Sequence, residues 1–176
     1  MQKKDLMGEC VVVDMETTGF NKAEDKILKL DAVKVADDRI TDKFSEYIRY
    51  EGKIPPAVTE LTGIDNGITD SAEDEETVIR GFLKFAGNAP IISFGSEFDM
   101  GFLKEACLRY GVSIDNPCID LRDICKRLFP ELKRYSLESI AQELGLEARK
   151  DTDKTAVITY ADIYIKIRDK AKELDI

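Results

Sequence analysis

At 176 residues and a net charge of −9, the chain has a one-domain length and an acidic balance that argues against tight binding of long duplex DNA. It contains no histidine, and Cys10, Cys107, Cys118 and Cys125 form no CxxC pair, which argues against a zinc site and a disulfide framework and leaves buried free thiols as the expectation. No apolar run approaches a membrane span and the first residues lack a signal-peptide core, so a cytoplasmic location with no membrane partner is expected.

The first apolar run, Val11-Val12-Val13, is too short for a helix. It delivers Asp14 and Glu16 two residues apart and breaks at Thr17-Thr18-Gly19. Residues i and i+2 of a strand share a face, so the two carboxylates stand together where the strand ends. Crowded there, they repel at neutral pH unless a proton, water or a cation screens them, and all-oxygen ligands suit Mg²⁺ or Mn²⁺. A buried strand entering an acidic turn explains Asp-x-Glu taken alone. The attached Thr-Thr-Gly turn favours a functional role.

Ile27 to Val35 is strand-like, with Lys29 and Asp31 oddly placed, and Ala36-Asp37-Asp38-Arg39 is a hairpin turn into a strand from Ile40 to Tyr50. Pro55 to Gly63 reads as a short helix with Pro in its first turn and Gly at its end. Ser71 to Ala86 carries a helical stripe of Val78, Ile79, Phe82, Leu83 and Phe85. Pro90 to Phe94 is a short buried strand, after which Phe98-Asp99 opens a helix to about Tyr110. Cys118 to Leu121 predicts a strand and Arg122 to Phe129 a helix. A Ser136-capped helix ends at Gly145, and a long helix runs from about Thr152 to Leu174. With no repeat or linker, residues 1–176 form one domain. Three antiparallel strands followed by strand–helix alternation predict an α/β fold, a mixed five-stranded sheet with helices on both sides. Ligands in such sheets sit beyond strand ends, where Asp14 and Glu16 fall.

Two further acids invite a role. Asp99 lies in the first turn of its helix, and Asp153 continues the core-facing stripe of Ala156, Val157, Tyr160, Ala161 and Tyr164 toward the sheet. The helix dipole or capping explains either one alone. Other charged and aromatic groups have plainer explanations. Lys126, Arg127, Lys133 and Arg134 around Phe129-Pro130 read as a solvated face before a phosphate-steering patch, and Tyr135 as a packing residue before a base-stacking one. Asp120 at a strand end fits a turn role at least as well as an approach to the metal site. Glu73 to Glu76 read as a solvated helix start, and Cys118 and Cys125 as core.

Taken together, Asp14-Met15-Glu16-Thr17-Thr18-Gly19, Phe98-Asp99-x-x-Phe102-Leu103 and the Asp153 helix resemble the DEDD superfamily of 3′–5′ exonucleases. The branch is the one that includes the polymerase III epsilon proofreading subunit. Ile54-Pro55-Pro56 and Glu60-Leu61-Thr62-Gly63-Ile64 look like that branch too, and the resemblance runs from about Cys10 to about Tyr164. It implies an RNase H-like fold in which Asp14, Glu16, Asp99 and Asp153 are catalytic and hold two Mg²⁺ or Mn²⁺ ions, which activate water and clamp the scissile phosphodiester. It further implies that Thr17, Thr18 and Phe20 line the 3′-terminal nucleotide and that Leu61 and Thr62 pack on terminal bases. The implied partners are 3′ ends of single-stranded DNA or RNA, with a DNA polymerase as a candidate associate.

The chain departs from that pattern in two places. The branch's histidine, five residues before the third-motif aspartate, is Ala148 here, and the sister branch's tyrosine, four residues before, is Arg149. The His-Asn pair that commonly precedes the second motif is Phe94-Gly95. A positioned general base contributes about 10²–10⁴-fold, so hydrolysis is expected to be slowed, with a raised pH optimum, rather than abolished. Two alternatives remain open: a non-catalytic interaction module that keeps the fold, and a hydrolase of small phosphoesters.

Overall fold

The computed structural model describes residues 8–146 and 156–174. Its elements are β1 (Cys10–Thr17), β2 (Ile27–Ala36), β3 (Arg39–Tyr47), α1 (Pro56–Thr62), α2 (Asn66–Thr69), α3 (Glu75–Ala86), β4 (Ile91–Ser93), α4 (Ser96–Arg109), β5 (Cys118–Asp120), α5 (Leu121–Leu128), α6 (Leu137–Glu143) and α7 (Ala156–Leu174). The five strands form one mixed sheet in the order β3-β2-β1-β4-β5. β1, β2 and β3 are an antiparallel meander, and β4 and β5 run parallel to β1. This is the expected RNase H-like arrangement.

The valine run of β1 is buried on both faces, which is why it takes the central place. Val12, Val33 and Ile92 face a core closed by Ile124, Ile140, Val157, Ala161 and Tyr164 of α5, α6 and α7. Val13, Leu30 and Ile91 face the opposite core, closed by Phe82 of α3 and by Phe102 and Leu103 of α4. Each face therefore gains the apolar burial that a strand with one apolar side lacks. The β2–β3 hairpin turns through Asp37 and Asp38, both left-handed (φ 50° and 61°), a conformation that aspartate tolerates better than most residues. Asp38 pairs with the buried Arg168 of α7, tying the hairpin to the last helix.

Three expectations need correction. β3 ends at Tyr47, not Tyr50: Ile48 N–H still bonds Leu28 C=O of β2 (2.9 Å), but Ile48 already bridges Glu73 and Arg49 N–H bonds Glu73 C=O (2.8 Å), so the chain turns away from β2 there. The helix expected from Ser71 starts at Glu75, because Asp74 is the residue whose carboxylate takes the free Thr77 N–H (2.9 Å), with the short turn α2 lying before it. Cys118 is exposed, since it opens the edge strand β5, whereas Cys10, Cys107 and Cys125 are buried free thiols. Among the described residues no helix is long and apolar enough to cross a membrane.

Candidate active site

β1, β4 and β5 point their carboxyl ends the same way, and chemistry-bearing side chains gather at that end. β1 puts Asp14 and Glu16 on its α7 face, the face of Cys10 and Val12. After β4, Gly95 takes a left-handed conformation (φ 110°) and caps α4, whose first turn carries Asp99. Asp99 is buried, and the Ser93 hydroxyl at the tip of β4 donates to it. β5 ends in Asp120, which caps α5 through Arg122 N–H (2.9 Å) and also accepts Ser96 N–H (2.7 Å), so it locks the starts of α4 and α5 together. The turn role expected for Asp120 is the one it fills.

These acids oppose one another's charge. Burial, then the like charges of Asp99, Glu16 and Asp31, push the Asp14 carboxyl up to about 8. Burial raises Asp99 to about 7, with Asp120 and Glu16 adding to it while the Ser93 hydrogen bond and Arg122 work the other way. Glu16 is also raised by burial, against the pull of Lys29, its cross-strand neighbour. Lys29 and Asp31, odd as strand residues, form an ion pair at 2.9 Å, and Ser45 Oγ donates to Asp31 at 2.5 Å.

The Thr-Thr-Gly turn is built around a residue that spacing did not single out. Asp25 accepts Thr18 Oγ1–H (2.8 Å) and Asn21 N–H (2.8 Å), while Lys26 N–H bonds Thr18 Oγ1 (3.0 Å). A Cβ on Gly19 would lie 2.5 Å from the Asp25 carboxylate, so only glycine lets this carboxylate approach. Of the five side chains expected to meet substrate, Phe20 and Leu61 stand out at 91% and 84% exposure. The hydroxyls of the others bond their own chain: Thr17 to Gly19 C=O (2.6 Å), Thr18 to Asp25, and Thr62 to Val58 C=O (2.8 Å). At the start of α4, Phe20, Lys22, Glu97, Phe98, Phe102 and Arg122 line a groove of about 530 Å³. Asp153, Ala148 and Arg149 lie outside the described residues.

Tyr160, read from its spacing as a core residue, belongs to the site: its hydroxyl is pushed up by burial and by the charges of Asp14, Asp99 and Glu16. Only the pairing of α7 with the sheet reveals this, and no local signal does. Elsewhere, Tyr135 packs, its hydroxyl donating to Phe129 C=O (2.7 Å), and Lys126 pairs with Asp123 (2.6 Å). Glu75, expected to be solvated, instead takes Arg109 (2.6 Å) and the Tyr110 hydroxyl (2.9 Å).

Among the described residues no three acidic or thiol side chains stand in a metal-ligating arrangement. The donor set nevertheless fits a divalent ion of the Mg²⁺ or Mn²⁺ type, because it is all carboxylate and its ionisation is opposed without a cation.

A family model described as Exonuclease (RNase_T) matches residues 11–153. The chain is 34% identical to the DNA polymerase III subunit epsilon of Aquifex aeolicus, over 92% of this chain and 81% of that one. It is 33% identical to a DNA polymerase III PolC-type of Caldanaerobacter subterraneus subsp. tengcongensis, over 97% of this chain and only 12% of that much longer protein. Among solved structures, exonuclease X in complex with 5′ overhanging duplex DNA has the same fold, with a TM-score of 0.74 and 17% identity over 95% of this chain and 93% of that one. With its matched motifs, its mixed sheet and these relatives, the chain belongs to the exonuclease family of the DEDD superfamily.

Proposed function

We propose that the protein is a divalent-metal-dependent 3′–5′ exonuclease that hydrolyses phosphodiester bonds at the 3′ ends of single-stranded or frayed nucleic acid. What supports this reading most is that the charges of Asp14 and Glu16 at a strand end and of Asp99 at a helix start oppose one another, in surroundings that resist their ionisation. Asp14, Glu16 and Asp99, with Asp153 as the fourth carboxylate, would hold two Mg²⁺ or Mn²⁺ ions. Bound there, the ions supply charge neutralisation at the scissile phosphate and activation of water.

The chain's own residues do the rest. Ser93 holds Asp99 in place, and Lys29 tempers the charge at Glu16. Phe20 offers an exposed ring on which a terminal base stacks without regard to sequence, and Leu61 an apolar surface against which terminal bases pack. Lys22 and Arg122 put positive charge beside the site of an otherwise acidic protein, which suits a short end better than a long duplex. No imidazole takes the proton of the attacking water, so turnover is slow at neutral pH and rises with pH. Because its relatives include a polymerase III subunit, the proposed associate is a DNA polymerase.

The same lack of histidine favours a second reading, a non-catalytic module that keeps the fold. End-labelled single-stranded DNA and RNA, incubated with Mg²⁺ or Mn²⁺ from pH about 6 to about 9, separate the two. A metal-dependent ladder shortening from the 3′ end, faster at high pH, is expected. Intact substrate at every pH, from protein that still binds the metal, would overturn the enzymatic reading in favour of the module.

A further inference from the structure

We propose that Tyr160 donates a hydrogen bond from its phenol to a non-bridging oxygen of the scissile phosphate, held in place by a stack with Phe94 and Arg122. The inference rests on the hydrolytic reading above and adds a catalytic residue to it.

Phe94 stands where a histidine is common in this family, and its ring is put to a different use. The Tyr160 ring lies nearly flat on it, with centroids 5.3 Å apart and planes 19° apart. The Arg122 guanidinium also lies over the Phe94 ring, 4.6 Å from its centroid, with a buried Nε that has no hydrogen-bond partner among the described residues. A cation over an aromatic face is an attraction in its own right, so the three side chains hold one another. Phe94 follows Ser93, the residue that binds Asp99, so the stack is joined directly to the acid cluster.

This brings a phenol from α7 to the end of β4, next to the residue that binds Asp99. Among the described residues its oxygen has no hydrogen-bond partner. Like any phenol near neutral pH it carries its proton, and it can donate it in a hydrogen bond. Held by the stack, it is a hydrogen-bond donor near a cluster of carboxylates. Charge that grows on the phosphate oxygens during hydrolysis is what such a donor stabilises, and donors aimed at developing charge are among the larger single contributions to catalysis. Packing alone would need only the ring.

Tyr160→Phe keeps the ring and the stack and removes only the oxygen. With end-labelled single-stranded DNA, kcat is expected to fall about 10- to 100-fold with KM within about twofold and the unfolding temperature unchanged. Affinity for thymidine 5′-monophosphate in the presence of Mn²⁺ is expected to fall about 10-fold, a readout independent of turnover. If wild type cuts DNA and Tyr160→Phe matches it in both kcat and monophosphate affinity, the donor role is overturned while the nuclease reading stands. If wild type does not cut yet binds the monophosphate through Tyr160, the donor role stands and the nuclease reading fails. Neither cutting nor binding overturns both. Should Tyr160→Phe not fold, Phe94→Leu takes its place: it unseats the ring but keeps the hydroxyl, and undiminished monophosphate affinity there would overturn the proposal.

Discussion

Asp14 and Asp31 face each other across paired strands on the same side of the sheet, and the fold treats them differently. Asp31 is buried with Lys29 Nζ at 2.9 Å and Ser45 Oγ at 2.5 Å, so its charge is answered by β2 itself and by the next strand. Around Asp14 the strongest electrical neighbours are other acids, Asp99, Glu16 and Asp31. At a single register position, the same two strands that settle one acid leave the other unsettled. A buried acid with its own lysine contributes to the fold. A buried acid among acids destabilises it, and persists where something brought from outside completes it.

The largest test of this contrast is Asp14→Ala. If the Asp14 cluster exists for a cation, nuclease turnover should fall by several kcal/mol, on the order of 10³-fold, and Mn²⁺ titration should show weakened binding, most of all for the second ion. Equal affinity and stoichiometry in wild type and variant would break the assignment. Next in size is the effect of pH on the metal-free protein. Folded Asp14 and Asp99 keep their protons up to about 8 and about 7, whereas an unfolded aspartate releases its proton near 3.8. In between, the folded state binds more protons, so stability falls as pH rises from about 4 to about 8. A divalent ion at roughly 100 times its Kd adds about 2.7 kcal/mol, or about 5–10 °C in unfolding temperature for a domain of this size, and adds more at pH about 8 than at pH about 5. A metal effect that is flat across this range would say that the acids are already neutralised by the protein.

Opposite signs at the two acids make the comparison sharper. Asp31→Asn strands Lys29 and should cost about 1–3 kcal/mol, whereas Asp14→Asn should stabilise the metal-free protein at pH about 8 and leave it unchanged at pH about 4. Thermal melts of both, without metal, read the two signs directly. Loss of stability in both variants would mean that Asp14 has a partner of its own. The smallest expected effect is a gain. If Ala148 occupies the base position, Ala148→His supplies a proton acceptor there, and turnover at neutral pH should rise about 10-fold with KM unchanged, below the usual gain because the surrounding residues did not evolve to orient an imidazole. The gain should shrink as pH rises. A wild type already fast at neutral pH would instead show that another group takes the proton.

How much of this was legible in the residues depended on how local each feature is. Strand spacing put Asp14 and Glu16 on one face, and Asp99 fell in a helix start after a buried strand, both as found. The hairpin at Asp37-Asp38 was legible because two residues at positive φ form a turn by themselves. What remained hidden needs a partner far along the chain. Arg109 on Glu75, Arg168 on Asp38 and Tyr160 at the acids are all matters of which elements meet. Periodicity reports the face a helix turns inward but not what it meets there. It therefore read Tyr160 as core, correctly for its ring and incompletely for its oxygen.

The central place of β1 also has a consequence for synthesis. It is the first of the domain's strands to leave the ribosome, and the adjacent hairpin closes one of its edges at once. The other edge waits for Ile91–Ser93, which at about 5–20 residues per second follows several seconds later. During that interval a valine-rich edge stands open to pairing with another chain, the hazard that finished sheets avoid by covering or shortening their edges. The same order delays assembly of the proposed site. Asp14 and Glu16 are made early, Asp99 only after β4, and Tyr160 with the last helix, so a growing chain holds the first acids long before that site is whole.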